Sequence, residues 1–151
     1  MYLFNRTINI AVTSPDQGGT LVVNGIFLDS HHEVCVTLQV DVASNRLTAA
    51  QGELRRAPRD DCYATAGLLP KLAGLELASG VRRQVLEAVG SGQGCTHLAD
   101  LVLECIKGVV QARFRLLRLT LTPQEIQARL NDELAGTCYA FRPPTSSLAQ
   151  D

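Results

Sequence analysis

The chain has 151 residues, of which 46% are hydrophobic and 19% are charged. This composition is typical of a globular protein and excludes general disorder, and a chain of this length can enclose one hydrophobic core. Fourteen basic and fifteen acidic residues give a formal net charge of −1, which argues against a nucleic-acid partner.

The first third of the chain predicts strands. Residues 34–42 alternate valine or leucine with smaller or polar residues, a pattern typical of a half-buried strand. Residues 3–13, 20–28 and 46–54 are also predicted as strands, and clusters of turn-forming residues separate the four segments. Short connections between consecutive strands predict an antiparallel meander of three to four strands, with one face available for helices.

Three to four helices are predicted after Pro58. The first is capped by Asp60 or Asp61 and ends near Pro70 or Gly74. A short second helix follows a cap at Ser79 and closes at residues 90–92. The apolar residues of the long third helix recur at helical spacing and form one stripe: Leu98, Leu101, Val102, Cys105, Val109, Ala112 and Leu116.

The end of the chain predicts one more helix and a tail. Thr122, Pro123 and Glu125 have the pattern of a capping box, and Gly136 is the expected end of this helix. Residues 137–141 are interpreted as an edge strand or a strap across the core, and residues 143–151 as a disordered tail. The fold class is therefore α+β, with a single domain over residues 1–142.

The compartment follows from the absence of targeting patterns and from the cysteines. No uncharged apolar run approaches the roughly 18 residues of a membrane span, and the first ten residues lack the pattern of a signal peptide. Five cysteines, an odd number at irregular spacing, fit reduced thiols better than a disulfide framework. We expect a cytoplasmic protein without membrane contact, whose thiols serve burial, metal binding or thiol chemistry.

Cys62 and Cys95 are the candidate functional cysteines. Both are predicted at the start of a helix, where unpaired backbone N–H groups and the helix dipole stabilise a thiolate. His97 lies two residues after Cys95, so both side chains can point to one side of the helix end and bind one metal ion. Asp100, three residues after His97, is the expected hydrogen-bond partner of the imidazole.

The remaining cysteines and histidines favour structural interpretations. Cys105 falls within the apolar stripe of the long helix, where a cysteine acts as a small hydrophobic residue. Cys35 is also interpreted as structural, and Cys138 is a minor candidate. His31 and His32 are interpreted as an exposed turn.

A family resemblance rests on several short stretches. Ala57-Pro58 stands before Asp61-Cys62, Leu72-Ala73-Gly74 follows, and residues 94–98 read Gly-Cys-Thr-His-Leu before a late Gly136-Thr137-Cys138. With the meander at the start of the chain, these stretches resemble the bacterial family called domain of unknown function 2889, over roughly residues 5 to 141. The resemblance implies no particular activity.

A weaker similarity is to iron–sulfur scaffold proteins of the NifU and IscU type, and it implies a fold like that of the SufE and NifU proteins. Residues 95–100 are similar to the last cysteine motif of these scaffolds, and Cys62 matches their first cysteine, with Asp60 or Asp61 as a nearby acidic ligand. Gly94 replaces the ligand histidine, and no cysteine lies between Cys62 and Cys95. These departures argue against an assembling cluster and leave open a mononuclear site of Cys62, Cys95, His97 and one carboxylate.

Two functions remain open from the sequence. In the first, Cys62, Cys95, His97 and Asp61 form a zinc or iron site, or the thiols handle sulfur. In the second, the cysteines are structural, and the protein is a non-enzymatic domain that binds a protein partner or forms a homo-oligomer. Whether the protein is an enzyme is also open, because no recognised catalytic motif is present.

Overall fold

The computed structural model describes residue 1 and residues 3–142. Contacts divide the chain into two compact units, of which the first is Met1–Ala112 and the second begins at Arg113. The predicted tail, residues 143–151, lies outside the described residues. The single domain over residues 1–142 stays a prediction.

The first unit contains the predicted meander, with its four strands in the order of the sequence. Every neighbouring pair is antiparallel, because short turns connect consecutive strands. The strands are β1 (Arg6–Thr13), β2 (Thr20–Asp29), β3 (Glu33–Asp41) and β4 (Arg46–Arg56). With the helices that follow them, they confirm the predicted α+β class.

One face of the sheet forms the core. Side chains alternate between the two faces of a strand, so odd-numbered residues of β2 and even-numbered residues of β3 share the buried face. The same alternation brings Asp29, the last residue of β2, to the buried face. Buried hydrophobic residues on this face are Leu21, Val23, Phe27, Val34, Val36, Leu38, Val40 and Leu47.

The helical segments follow the sheet in the sequence. They are a 3-10 helix (Asp60–Leu72), α1 (Val81–Val85) with a π-helical continuation (Leu86–Gly90), α2 (Thr96–Leu117), α3 (Pro123–Glu133) and a 3-10 turn (Tyr139–Phe141). None of the helices in the described part of the chain combines the length and the apolar character that a membrane crossing requires.

Helix α2 confirms the long helix predicted from its apolar stripe. Its buried residues include Leu98, Leu101, Val102, Cys105 and Val109. A Cβ atom at Gly25 would meet the Cys105 Sγ and a Leu101 methyl group, so the missing side chain lets α2 lie close against β2. Cys105 is fully buried, as predicted, and burial raises the pKa of its thiol to about 12.

The first predicted helix is present, but its type differs from the prediction. Residues 60–72 form 3-10 turns, and the residue before the first turn is Arg59 instead of a capping aspartate. Residues three apart lie on the same side of a 3-10 helix, so Leu69 and Leu72 both reach the core. The burial of these two leucines anchors the segment to the core.

The second predicted helix begins after Gly80 in place of Ser79. Gly80 has a left-handed backbone with a φ of 89°, and α1 starts at the next residue. The segment then widens into π turns that end at Gly90, as expected from the glycines there. Val85 and Val89 are fully buried and fix this segment to the core.

The described part of the second unit includes α3, which confirms the predicted capping box. The Glu125 backbone N–H donates to the Thr122 hydroxyl at 3.4 Å, and the Thr122 backbone N–H donates to the Glu125 carboxylate at 2.8 Å. Of the two interpretations of residues 137–141, the edge strand is wrong, because Tyr139–Phe141 forms a 3-10 turn.

Candidate functional site: an Asp-His-His cluster

The turn between β2 and β3 is built around the carboxylate of Asp29. Its Oδ1 accepts hydrogen bonds from the backbone N–H groups of His31 at 2.8 Å and His32 at 2.7 Å. The Asp29 backbone N–H donates to the His32 carbonyl at 2.9 Å. An aspartate that accepts from residues two and three positions later is a common way to close a turn, and here it orders the histidines.

The ring of His32 is held by the same carboxylate. Its Nδ1 lies 3.0 Å from Asp29 Oδ1. An ionised carboxylate only accepts hydrogen bonds, so this contact assigns the hydrogen to Nδ1. In the neutral ring, Nε2 then keeps a lone pair that can bind a metal ion or accept a proton.

Two arginines lie beside this turn and have different roles. Arg56 donates from Nη2 to the Asp29 carbonyl at 2.8 Å and from Nη1 to the Ser30 carbonyl at 3.0 Å, which fixes the backbone of the turn. Arg6 instead approaches the side chain of Asp29, with its Nη2 3.7 Å from Oδ2. The Asp29 side chain is only 2% exposed, so it is a buried charge between ring, amide and guanidinium groups.

His97 enters the site from the first turn of α2. Its ring lies against the ring of His32, with centroids 3.9 Å apart and an angle of 34° between the planes. The buried ring of Phe27 packs against it at a centroid distance of 5.2 Å. Nδ1 of His97 is 3.9 Å from Cys95 Sγ. Two separate parts of the chain, the β2–β3 turn and the start of α2, therefore meet at these two imidazoles.

The environment shifts the pKa values of Asp29 and His97. Burial opposes ionisation of Asp29, but the hydrogen bonds from His31 and His32 outweigh it and lower the pKa of the carboxyl from 3.8 to about 2. Burial, and next the neighbouring His32, lower the pKa of His97 below its usual 6.5. The site therefore favours an ionised aspartate and a neutral His97.

These shifts predict that acid destabilises the metal-free protein. Asp29 stabilises the folded state above about pH 4, and this contribution, about 2 kcal/mol, is lost as the pH falls from about 4 to about 2. Because His97 resists protonation in the folded state, stability also declines as the pH falls below 6.5. Urea unfolding between pH 7 and pH 3, in the presence of a chelator, measures both effects, and equal stability at pH 7 and pH 3 would contradict them.

Asp29, His32 and His97 together form a group of potential metal ligands. One ligand atom from each lies within 4.8 Å of the others. Asp29 is buried, and the two histidines are half-buried, so they can be reached from the surface. We call these three residues the Asp-His-His cluster.

The structure brings together two of the four predicted metal ligands. Cys95 immediately precedes α2, and its carbonyl accepts the Ala99 N–H at 3.0 Å, as expected for a helix cap. It lies beside His97, as described above. Cys62 is half-buried and Asp61 is exposed, and both belong to the 3-10 helix, not to the Asp-His-His cluster. The set of four as metal ligands stays a prediction.

Sequence reasoning missed Asp29 and His32. The interpretation of His31 and His32 as an exposed turn holds for His31, which is exposed, but not for His32, whose side chain is only 12% exposed. The charge of Asp29 acts on His97 more strongly than that of the expected partner Asp100, which is exposed. The sequence does contain a signal, because an aspartate at the end of a strand commonly closes a turn by accepting from the backbone N–H groups that follow it. This pattern does not show which helix lies over the turn.

Comparison with known proteins supports the first resemblance drawn from the sequence. Neither the curated proteins nor the solved structures gave a significant match, so the similarity to iron–sulfur scaffold proteins has no support. A family match extends over residues 4–111, a range that contains the whole Asp-His-His cluster and Cys95 but not residues 136–138. The chain belongs to the DUF2889 family, whose description is protein of unknown function.

Proposed function

We propose that this protein binds one zinc or iron ion at the Asp-His-His cluster. The observation that carries the proposal is the meeting of His32 and His97, from two separate elements, beside the buried carboxylate of Asp29. Imidazole groups are among the usual protein ligands of both metals. His32 and His97 bind the ion directly, and Asp29 orients His32.

Asp29 acts on the ion through His32. Its Oδ1 accepts from two backbone amides and from the His32 ring, so that oxygen has little remaining capacity for a metal. A carboxylate that accepts from a ligating histidine fixes its tautomer and increases its basicity. The contact between Asp29 and His32 has this arrangement.

Cys95 is the third ligand in this proposal; its sulfur lies outside the Asp-His-His cluster and is linked to it by its contact with His97. Typical Zn–N and Zn–S distances place a nitrogen and a sulfur about 3.5 Å apart in a tetrahedral site. The observed 3.9 Å between Cys95 Sγ and His97 Nδ1 is near this value. Two nitrogens and one sulfur leave one position open, as in catalytic sites rather than in closed structural ones. Sulfur handling by Cys95 is the less favoured use, because only 9% of this residue is exposed.

The alternative is a structural role for the same residues in a domain that binds a protein partner or a second copy. The hydrogen bonds of Asp29 favour it, since they satisfy the carboxylate without an ion. For either function we retain the cytoplasm as the expected compartment, because all five cysteines are free.

Metal titration of the full chain distinguishes the two functions. Purified protein, stripped by a chelator under reducing conditions, is titrated with Co²⁺ and Zn²⁺, and Co²⁺ reports its ligands through its absorption bands. We expect about one ion per chain, with a sulfur-to-cobalt band that disappears in Cys95→Ser. His97→Ala and His32→Ala should lower the affinity on the order of 100-fold, by loss of a direct ligand.

The chain offers a matched control in His31. It is the neighbour of His32 on the same turn, but its side chain lies outside the cluster, so His31→Ala should bind Co²⁺ like the parent. Cys62, a ligand predicted from the sequence, also lies outside the cluster, so Cys62→Ser should bind Co²⁺ like the parent. A loss of Co²⁺ affinity in Cys62→Ser would make Cys62 a ligand. Circular dichroism verifies that each variant is folded. A folded parent that binds neither ion, or His31→Ala and His97→Ala variants that lose affinity equally, would support the structural alternative.

A further inference from the structure

Arg6 places a guanidinium group next to the Asp-His-His cluster. It is the first residue of β1, and the strand register pairs it with Asp29. Its Cζ lies 4.8 Å from the centroid of Phe27, the ring that also packs against His97. The cation is thus held at the edge of the cluster by an aromatic face, an arrangement in which arginine is favoured over lysine.

The hydrogen-bond donors of Arg6 are available to a ligand. Its distance of 3.7 Å to Asp29 Oδ2 is longer than a hydrogen bond, and the side chain is 42% exposed. Arg56 differs, because its donors are directed to the carbonyl groups of the turn. Of these two arginines, Arg6 is therefore the one that can present a pair of N–H groups to an incoming oxyanion.

We propose that Arg6 and the metal ion together bind a small monocarboxylate. The inference rests on the proposed metal site, whose open position would take one carboxylate oxygen while Arg6 donates to the other. The negative charges of Asp29 and of a Cys95 thiolate balance the two positive charges of the ion. The guanidinium group of Arg6 then gives the whole site one net positive charge. A monoanion neutralises this charge, whereas a phosphate dianion would add repulsion beside the buried Asp29.

The surface around Arg6 indicates an apolar body for this ligand. The ring of Phe4 is 5.4 Å from the Arg6 Cζ, and 53% of this residue is exposed. Ile8, two residues after Arg6 on the same face of β1, is 39% exposed. A carboxylate with a short alkyl chain can contact these side chains while its charged end reaches Arg6, so butanoate should bind more tightly than acetate.

The test is a titration of the Co²⁺-loaded protein with sodium butanoate, acetate and inorganic phosphate at constant ionic strength. Ligation changes the cobalt absorption bands, which gives a dissociation constant for each anion. Co²⁺ loading of every variant is measured first, and the anions are compared at full loading. We expect Arg6→Gln to weaken butanoate binding about tenfold or more, by loss of a charged hydrogen bond. Arg6→Lys keeps the charge but not the paired donors, and should bind with intermediate affinity.

Arg55→Gln is the matched control. Arg55 is also an exposed strand arginine, but it donates to Glu53 at 2.6 Å, away from the cluster, so its replacement should leave butanoate binding unchanged. Equal butanoate affinity in Arg6→Gln and the parent, no spectral change with butanoate, or tighter binding of phosphate would overturn the proposal. If Co²⁺ binds and butanoate does not, only this inference fails. If Co²⁺ does not bind, the metal site fails as well.

Discussion

Replacement of Asp29 by alanine is expected to lower the free energy of unfolding by about 3 kcal/mol, because it leaves buried donors without an acceptor. The carboxylate accepts from the backbone amides of His31 and His32 and from the His32 ring, and its side chain is 2% exposed. Because the site is buried, water cannot readily take the place of the carboxylate as the acceptor for these donors. Urea unfolding at pH 7 in the presence of a chelator measures the loss.

Asp16→Ala is the matched control for this prediction. Asp16 also accepts a backbone N–H, from Thr20 at 2.8 Å, but it lies in an exposed turn at the other end of β2. Water can take over its role, so we expect a much smaller loss of stability. If the two alanine variants were equally stable, Asp29 would not be the structural centre of its turn.

Asp29→Asn separates the structural role of Asp29 from its role toward the metal. The amide oxygen can still accept from the backbone, so this variant should be more stable than Asp29→Ala. It removes the charged acceptor that holds the His32 ring, so Co²⁺ affinity should fall about 10- to 100-fold. Parent-like Co²⁺ affinity in a folded Asp29→Asn protein would mean that Asp29 does not act through His32.

Gly94→Ala is expected to cost about 3 kcal/mol of stability and also to weaken metal binding. A Cβ atom at this position would overlap the backbone carbonyl of Val89. That carbonyl accepts the Cys95 N–H at 2.9 Å, so the clash falls on the contact that positions the start of α2. Cys95 and His97 would move together, and the Co²⁺ affinity of the variant should fall with its stability.

Gly92→Ala tests whether the effect is specific to the close contact. Gly92 belongs to the same glycine-rich turn, but a Cβ atom there would meet nothing within 4 Å among the described atoms. Its replacement should change stability by less than about 0.5 kcal/mol. Denaturant unfolding and Co²⁺ titration of both variants, side by side, give the comparison. A stable Gly94→Ala protein with parent-like Co²⁺ affinity would show that the turn can relax without moving the ligands.

Elements with strong local patterns were predictable from the sequence. Helix α3 begins where Thr122, Pro123 and Glu125 indicate, since a capping box involves only residues within one turn. The apolar stripe of α2 and the alternation of β3 likewise reflect local periodicity. The 3-10 helix over residues 60–72 and the turn near residue 140 lacked such a pattern.

The sequence by itself determined the α+β class, the order of its elements, the cap position of Cys95 and its proximity to His97, because each depends on residues close together in the chain. Only the tertiary structure decided that His97 meets His32 and Asp29, which lie more than sixty residues earlier in the numbering. The physical reason is the packing of α2 against β2, where Gly25 admits the helix. That contact brings the first turn of α2 over the end of the strand, and sequence periodicity specifies which faces are apolar but not which faces meet.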